Sequence, residues 1–156
     1  MSTRANVVDS SAWLEYFADG ANAQRFAGII EKPDSLLVPA ITLTEVFKRI
    51  SQQRSESTAM QYVAVMQQSR VVPLDASLAL RAAALGLRHR LPLADSIIYA
   101  TALASNALVW TQDADFEGLE DVRFWANPKG STLSVKLLKP VAMDAIQLIG
   151  PKQALT

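Results

Sequence analysis

Asn6-Val7-Val8-Asp9-Ser10-Ser11-Ala12-Trp13 is an apolar run that stops on an acid and passes at once into helix-compatible residues. A short apolar run of this kind fits a strand buried on both faces, the habit of parallel sheets. The pattern recurs along the chain. Leu36-Leu37-Val38-Pro39-Ala40 leads toward Glu45, and Leu108-Val109-Trp110-Thr111-Gln112 leads to Asp113 and Asp115. Asp95 stands in Leu93-Ala94-Asp95-Ser96-Ile97-Ile98. If the runs are parallel strands, Asp9, Glu45, Asp95 and Asp113 gather at the carboxyl edge of the sheet, where open α/β sheets bind ligands. Acids crowded into one crevice repel each other, so at least one carboxyl is expected to have a raised pKa, and a cation is expected to compensate. Carboxylate oxygens are hard ligands that suit Mg²⁺ or Mn²⁺.

Outward from these runs, strands are expected at 5–9, 35–39, 70–74, 107–110 and 122–125. Helices are expected at 12–18, 23–31, from 41 onward, 55–68, from the Asp75 cap to 88, and at 97–104, with a short helical turn at 114–119. Ser10 or Ser11 serves as N-cap of the first helix. Phe26, Ile29 and Ile30 recur at helical spacing, as do Leu43, Val46, Phe47 and Ile50. Gln52-Gln53-Arg54-Ser55 joins two helices into a hairpin, and Pro73 points to an edge position or a strand end. Strands alternating with helices imply an α/β sandwich around a mostly parallel sheet. Past Asn127-Pro128-Lys129-Gly130 the pattern changes, which divides the chain into a domain over 1–128 and an extension over 129–156. The extension carries Val135, Leu137, Leu138, Val141, Met143, Ile146, Leu148 and Ile149. It is too apolar for a solvated tail and is expected to pack on the domain or on a partner subunit.

Bulk properties narrow the chemistry. A chain of 156 residues, 50% of them hydrophobic, supports one domain with a real core. The lack of cysteine excludes disulfides and thiolate metal sites, and His89 as the single histidine excludes a histidine-rich zinc site or a Ser-His-Asp triad within one chain. Fifteen basic residues balance fifteen acidic ones, so any footprint for a polyanion must be local. No apolar run approaches the ~20 residues that span a bilayer, and a soluble cytoplasmic protein is expected.

Each acid also has a purely structural explanation. Asp9 and Asp95 would stabilise helix N-termini, and Thr42-Leu43-Thr44-Glu45 has the pattern of a capping box in which Glu45 reaches back to the Thr42 amide. Asp113 and Asp115 would form Asx turns. One shared cause explains all of them together more economically than four separate ones.

In the order in which they occur, Val7-Val8-Asp9-Ser10-Ser11-Ala12-Trp13-Leu14-Glu15-Tyr16-Phe17, Thr42-Leu43-Thr44-Glu45-Val46, Leu91 to Ala102 around Asp95, and Leu108 to Phe116 around Asp113 resemble the PIN-domain ribonucleases. Among these the chain is most similar to the VapC-type toxins of bacterial toxin–antitoxin pairs. The resemblance runs from about residue 5 to residue 125. It implies a three-layer fold with a five-stranded, mostly parallel sheet, and an acidic pocket holding one or two Mg²⁺ or Mn²⁺ ions. It makes Asp9, Glu45, Asp95 and Asp113 metal-binding acids, with Asp115 as an auxiliary fifth. In the expected mechanism Asp9, Asp95 and Asp113 hold the principal metal, and Glu45 completes the pocket or positions the attacking water. The resemblance makes Ser10 and Thr111 hydroxyls that line the pocket. Lys48 and Arg49, one helical turn past Glu45, are candidate RNA contacts along with those two hydroxyls. Family toxins cleave a narrow set of structured RNAs, form homodimers and are blocked by a cognate antitoxin.

Two rival hypotheses stand beside this one. A PIN-like module that binds RNA or protein, with mainly structural acids, predicts no effect of divalent ions on thermal stability. A phosphatase would place a second acid where Ser11 stands, and a receiver domain would need a phosphorylatable acid after its third strand and a late lysine.

Overall fold

The computed structural model describes residues 4–128 and 138–140. Among these residues, eleven regular elements follow in the order β1 (Asn6–Val8), α1 (Ser10–Phe17), α2 (Ala23–Ile30), β2 (Leu36–Pro39), α3 (Ala40–Gln53), α4 (Glu56–Met66), β3 (Arg70–Val72), α5 (Ala76–His89), α6 (Leu93–Ala104), β4 (Leu108–Thr111) and β5 (Val122–Phe124). Short 3₁₀ turns occupy Pro33–Ser35 and Ala114–Phe116. The strands form one parallel sheet in the order β3-β2-β1-β4-β5. β3 lies at an edge, and Pro73 follows its last residue, so both outcomes open to that proline are met. From the central β1 the chain works outward through β2 and β3, then returns to the other side of β1 for β4. The direction of winding therefore switches between β1 and β4, where a crevice opens at the carboxyl ends of parallel strands.

Strand alternation divides the core into two layers. Val8, Leu36 and Val38 point toward α1, α2, α3 and α4, where Trp13, Phe17, Phe26, Ile50 and Met66 are buried. Val7 and Val109 point the other way, onto Leu78 and Leu85 of α5 and Ile97 and Ile98 of α6. This gives the expected three layers. Val46 and Ile50 are fully buried, with Leu43 and Phe47 partly buried beside them, so the stripe on α3 holds as predicted. Asp75 caps α5 by accepting from the Leu78 N–H at 2.8 Å. Among the described residues no helix is long and apolar enough to cross a membrane.

Two helix starts differ from expectation. Asp9, not Ser10 or Ser11, is the N-cap of α1, because β1 ends at Val8 and leaves no further residue between strand and helix. α3 begins at Ala40 directly after β2, so the Thr42–Glu45 capping box does not form. Thr42 is buried in the first turn, its hydroxyl donating to the Pro39 carbonyl at 2.6 Å. The strand runs into the helix without a turn, and Glu45 falls in the second turn, beyond reach of any free N–H.

The expected extension over 129–156 lies outside the described residues except for 138–140. Leu138 and Lys139 pack on the domain, and Pro140 is exposed. Leu138 joins the α1–α4 core layer, and the Lys139 N–H donates to the Phe17 carbonyl at 2.8 Å. The Tyr62 hydroxyl donates to the Lys139 carbonyl, and Lys139 Nζ lies 4.2 Å from the Tyr16 ring centroid and 3.5 Å from Asp19 Oδ1.

One close approach fixes a glycine. Glu15 is buried in α1, and a Cβ on Gly20 would stand 1.2 Å from Glu15 Oε1. The carboxylate fills the space that a side chain would need. Gly20→Ala is therefore expected to cost about 1–3 kcal/mol, read as a lower urea midpoint at unchanged m-value.

Candidate metal centre

The parallel pairing of β1 with β4 sets Val8 opposite Trp110, so the residues that follow this pair, Asp9 and Thr111, meet at the switch point. The Asp9 N–H donates to the Trp110 carbonyl at 3.0 Å, extending the ladder by one bond. Its carboxylate is buried and held by hydroxyls. Oδ2 accepts from Ser11 Oγ at 2.6 Å and from Thr111 Oγ1 at 2.9 Å. Burial pushes the Asp9 carboxyl above its usual range and the nearby Asp113 adds to this, while Ser11 and Thr111 pull the other way.

Thr111 also accepts the Asp113 N–H on Oγ1 at 2.9 Å, and Asp113 Oδ1 accepts the Asp115 N–H at 2.9 Å. This chain of bonds folds the segment after β4 back toward α6. Asp95, in the first turn of α6, comes from the opposite side. One carboxylate oxygen each from Asp95, Asp113 and Asp115 lies within 4.8 Å of the others. Asp115, expected only as an auxiliary, is thus a full member of the tight group. Asp9 lies outside that group, with its Oδ2 bonded to Ser11 and Thr111.

Glu45 reaches the same crevice from α3, where its Oε1 accepts from Ser10 Oγ at 3.0 Å. Burial raises its pKa, the Ser10 bond opposes this, and Asp9 and Asp113 raise it further. The five acids are coupled most visibly at Asp95. Its carboxyl is pushed up to about 8, first by burial and then by Asp9, Asp113, Glu45 and Asp115 in turn. That is the raised carboxyl expected from crowding. A donor set made only of carboxylates, with Asp95 pushed toward its neutral form by burial and by its neighbours, fits a hard divalent cation: Asp95, Asp113 and Asp115 would hold it, and its charge would relieve the repulsion.

The other residues singled out take distinct places. Thr111, expected among the RNA contacts, is fully buried, and its hydroxyl bonds Asp9 and the Asp113 N–H. Ser10 is half-buried and engaged with Glu45. Lys48 and Arg49 are exposed on α3, lining a cleft that begins at Ser10 and Glu45. Ser11 carries a role that sequence reasoning gave only to caps. Besides holding Asp9, its Oγ accepts the Gln112 N–H at 3.4 Å. A hydroxyl two residues after an aspartate at a helix start is the available signal, since such side chains bond locally to one another and to the backbone.

The sequence profile of the family described as the PIN domain matches residues 7–122. No curated protein matches the sequence. A toxin–antitoxin complex from Klebsiella pneumoniae is similar in structure, with a TM-score of 0.64 at 22% identity over 76% of this chain and 96% of that one. VapC20 of Mycobacterium tuberculosis, described as a sarcin–ricin-loop-cleaving toxin, gives 0.63 at 22% identity over 76% and 99%. VapBC2 from Rickettsia felis, bound to a DNA fragment from its promoter, gives 0.61 at 12% over 78% and 98%. At these identities the likeness establishes a shared fold.

Proposed function

This chain belongs to the PIN domain family, and on that premise we propose that it is a divalent-metal-dependent endoribonuclease, the toxin of a toxin–antitoxin pair. The observation that carries the proposal is the convergence of Asp9, Glu45, Asp113 and Asp115 on Asp95 at the switch point of the sheet. Such a cluster is unfavourable by itself and becomes favourable around a cation. When bound, Mg²⁺ or Mn²⁺ supplies charge stabilisation at a phosphodiester and favours ionisation of a water at neutral pH.

The chain's own residues supply the rest of the chemistry. Asp95, Asp113 and Asp115 would hold the cation, and the orientation of the nearby Asp9 is set by Ser11 and Thr111. Glu45, with a raised pKa and a fixed bond to Ser10, is suited to accept the proton of the attacking water. The phosphodiester is hydrolysed to one phosphate-ended and one hydroxyl-ended product. Because Thr111 acts through Asp9 and Asp113, it is a positioning residue. Thr111→Val is expected to lower kcat about 10–100-fold, with less effect on KM.

The solved toxin–antitoxin relatives support an antitoxin as partner and a structured RNA as substrate. Exposed Leu80, Leu87 and Leu93 on α5 and the start of α6 support a homodimer by offering an apolar centre for a second copy. The proposal includes a cytoplasmic location and a division of the chain into a nuclease domain over 1–128 and an extension over 129–156.

The direct test is cleavage of total RNA with Mg²⁺ or Mn²⁺ by wild type and Asp9→Asn. Metal-dependent cleavage by the wild type and a loss of at least ~100-fold in the variant are expected. Equal activity in both would remove Asp9 from the mechanism. No cleavage, together with no effect of divalent ions on thermal stability, would favour a binding module with structural acids.

A further inference from the structure

A cleft of about 390 Å³ opens beside the acids, between α1 and α3. Ser10 and Glu45 form one end, and Thr44, Lys48, Arg49 and Gln52 line it along α3. The decisive detail is a pairing that the helix does not make. Glu45 stands four residues before Arg49, the order and spacing that favour an ion pair on a helix surface. Instead Glu45 turns to Ser10, and no ion pair joins Lys48 or Arg49 to any acid among the described residues. Two cations are thus left facing a cleft whose far end is an acidic centre, in a chain with net charge zero.

Building on the nuclease reading, we propose that this cleft is a subsite for one nucleotide next to the scissile phosphate, on a single-stranded stretch of RNA. Along α3, Glu45 and Arg49 are separated by about 6 Å, so a phosphate at Arg49 and Lys48 sits one backbone step from a phosphate at the acids. The cations take the neighbouring phosphate as sequence-independent contacts. The Gln52 amide and the Thr44 hydroxyl each offer a donor and an acceptor, the equipment for reading a base edge. A base can reach them only when unstacked, which selects loops and unpaired segments over A-form helices. Lys48 and Arg49 therefore set affinity, and Gln52 sets base preference.

The test uses the full chain carrying Asp95→Asn, so that RNA is not consumed, and fluorescein-labelled oligoribonucleotides followed by anisotropy. Adding Lys48→Glu with Arg49→Glu is expected to weaken binding at least tenfold. Log affinity should also fall less steeply with log salt, by about 0.7 for each phosphate that the variant no longer neutralises. Both side chains are exposed, and unchanged melting will verify that the variants fold. Gln52→Ala is expected to leave the salt slope alone and to reduce the difference in affinity among oligo-A, -C, -G and -U. Duplex RNA of the same length should bind at least tenfold more weakly than single strands. Unchanged affinity and slope in the double charge reversal overturn the subsite, and duplex binding as tight as single-strand binding overturns the strand preference. Tighter binding of a polyglutamate peptide than of RNA, abolished in the same variant, would overturn the subsite and assign the cleft to an acidic protein partner. The nuclease reading fails separately, if wild type neither cleaves RNA nor responds to divalent ions in melting.

Discussion

Asp95→Asn is expected to make the metal-free protein more stable at alkaline pH while reducing RNA cleavage by about 10³-fold. The two effects share a cause. The Asp95 carboxyl titrates at about 8 in the folded chain, against an ordinary value of 3.8. Folding therefore favours its protonated form. The folded state holds more protons than the unfolded state between these limits, so stability falls as pH rises from about 4 through 8 and then levels off. Below that window the neutral carboxyl costs little, and above it a buried anion faces four other acids. Asparagine keeps the shape without the charge. Urea denaturation in EDTA should show the variant more stable by ~2 kcal/mol at pH 9, with the gap closing toward pH 4. A wild type whose metal-free stability is flat from pH 5 to 9 would contradict the crowding. The cleavage loss follows because the cation that Asp95, Asp113 and Asp115 would hold loses a buried ligand, a contribution of several kcal/mol at about 1.4 kcal/mol per tenfold.

Chelation should have the second-largest effect. Removing divalent ions is expected to abolish cleavage, and restoring Mn²⁺ to raise the melting temperature of the wild type by several degrees. An ion that binds only the folded state stabilises by about 2.7 kcal/mol at a hundredfold excess over its Kd. Binding must displace the proton that Asp95 carries at neutral pH, so affinity should rise between pH 6 and 8.5 and then flatten. Asp95→Asn and Asp113→Asn should each remove most of the Mn²⁺ shift in melting. Asp9→Asn should keep more of it, since Asp9 lies outside the tight group of three. A shift equal in wild type and Asp113→Asn would place the cation elsewhere.

The two helix starts show where local patterns mislead. Ser10-Ser11 after a strand and Thr42-x-x-Glu45 before an apolar stripe are both sound capping signals. Each is overridden because strand and helix join without a turn, which starts α3 at Ala40, three residues before the Thr42 box would, and hands the cap of α1 to Asp9. The consequence at Glu45 is chemical: released from capping, its carboxylate turns to Ser10 and the crevice. Position in the chain also understates Asp115, two residues past Asp113 on an exposed turn, where a carboxylate ordinarily faces water.

The sequence by itself determined what depends on neighbours along the chain. Unbroken apolar runs specify buried strands, 3.6-residue spacing specifies the buried faces of α2 and α3, and an acid soon after a strand end places Asp9 and Asp113 at the carboxyl edge. Tertiary structure alone decided how those acids meet. Thr111 Oγ1 bonds Asp9 across a separation of 102 residues, and Ser10 bonds Glu45 across 35. Such contacts exist only because β4 returns beside β1 and β2 lies on its other side, and no local pattern encodes that adjacency. The same long-range geometry gathers Asp95, Asp113 and Asp115 into one donor set and keeps Asp9 beside it. Burial then sets the electrostatics, since a carboxyl rises to about 8 only where solvent is excluded and like charges converge from several elements at once.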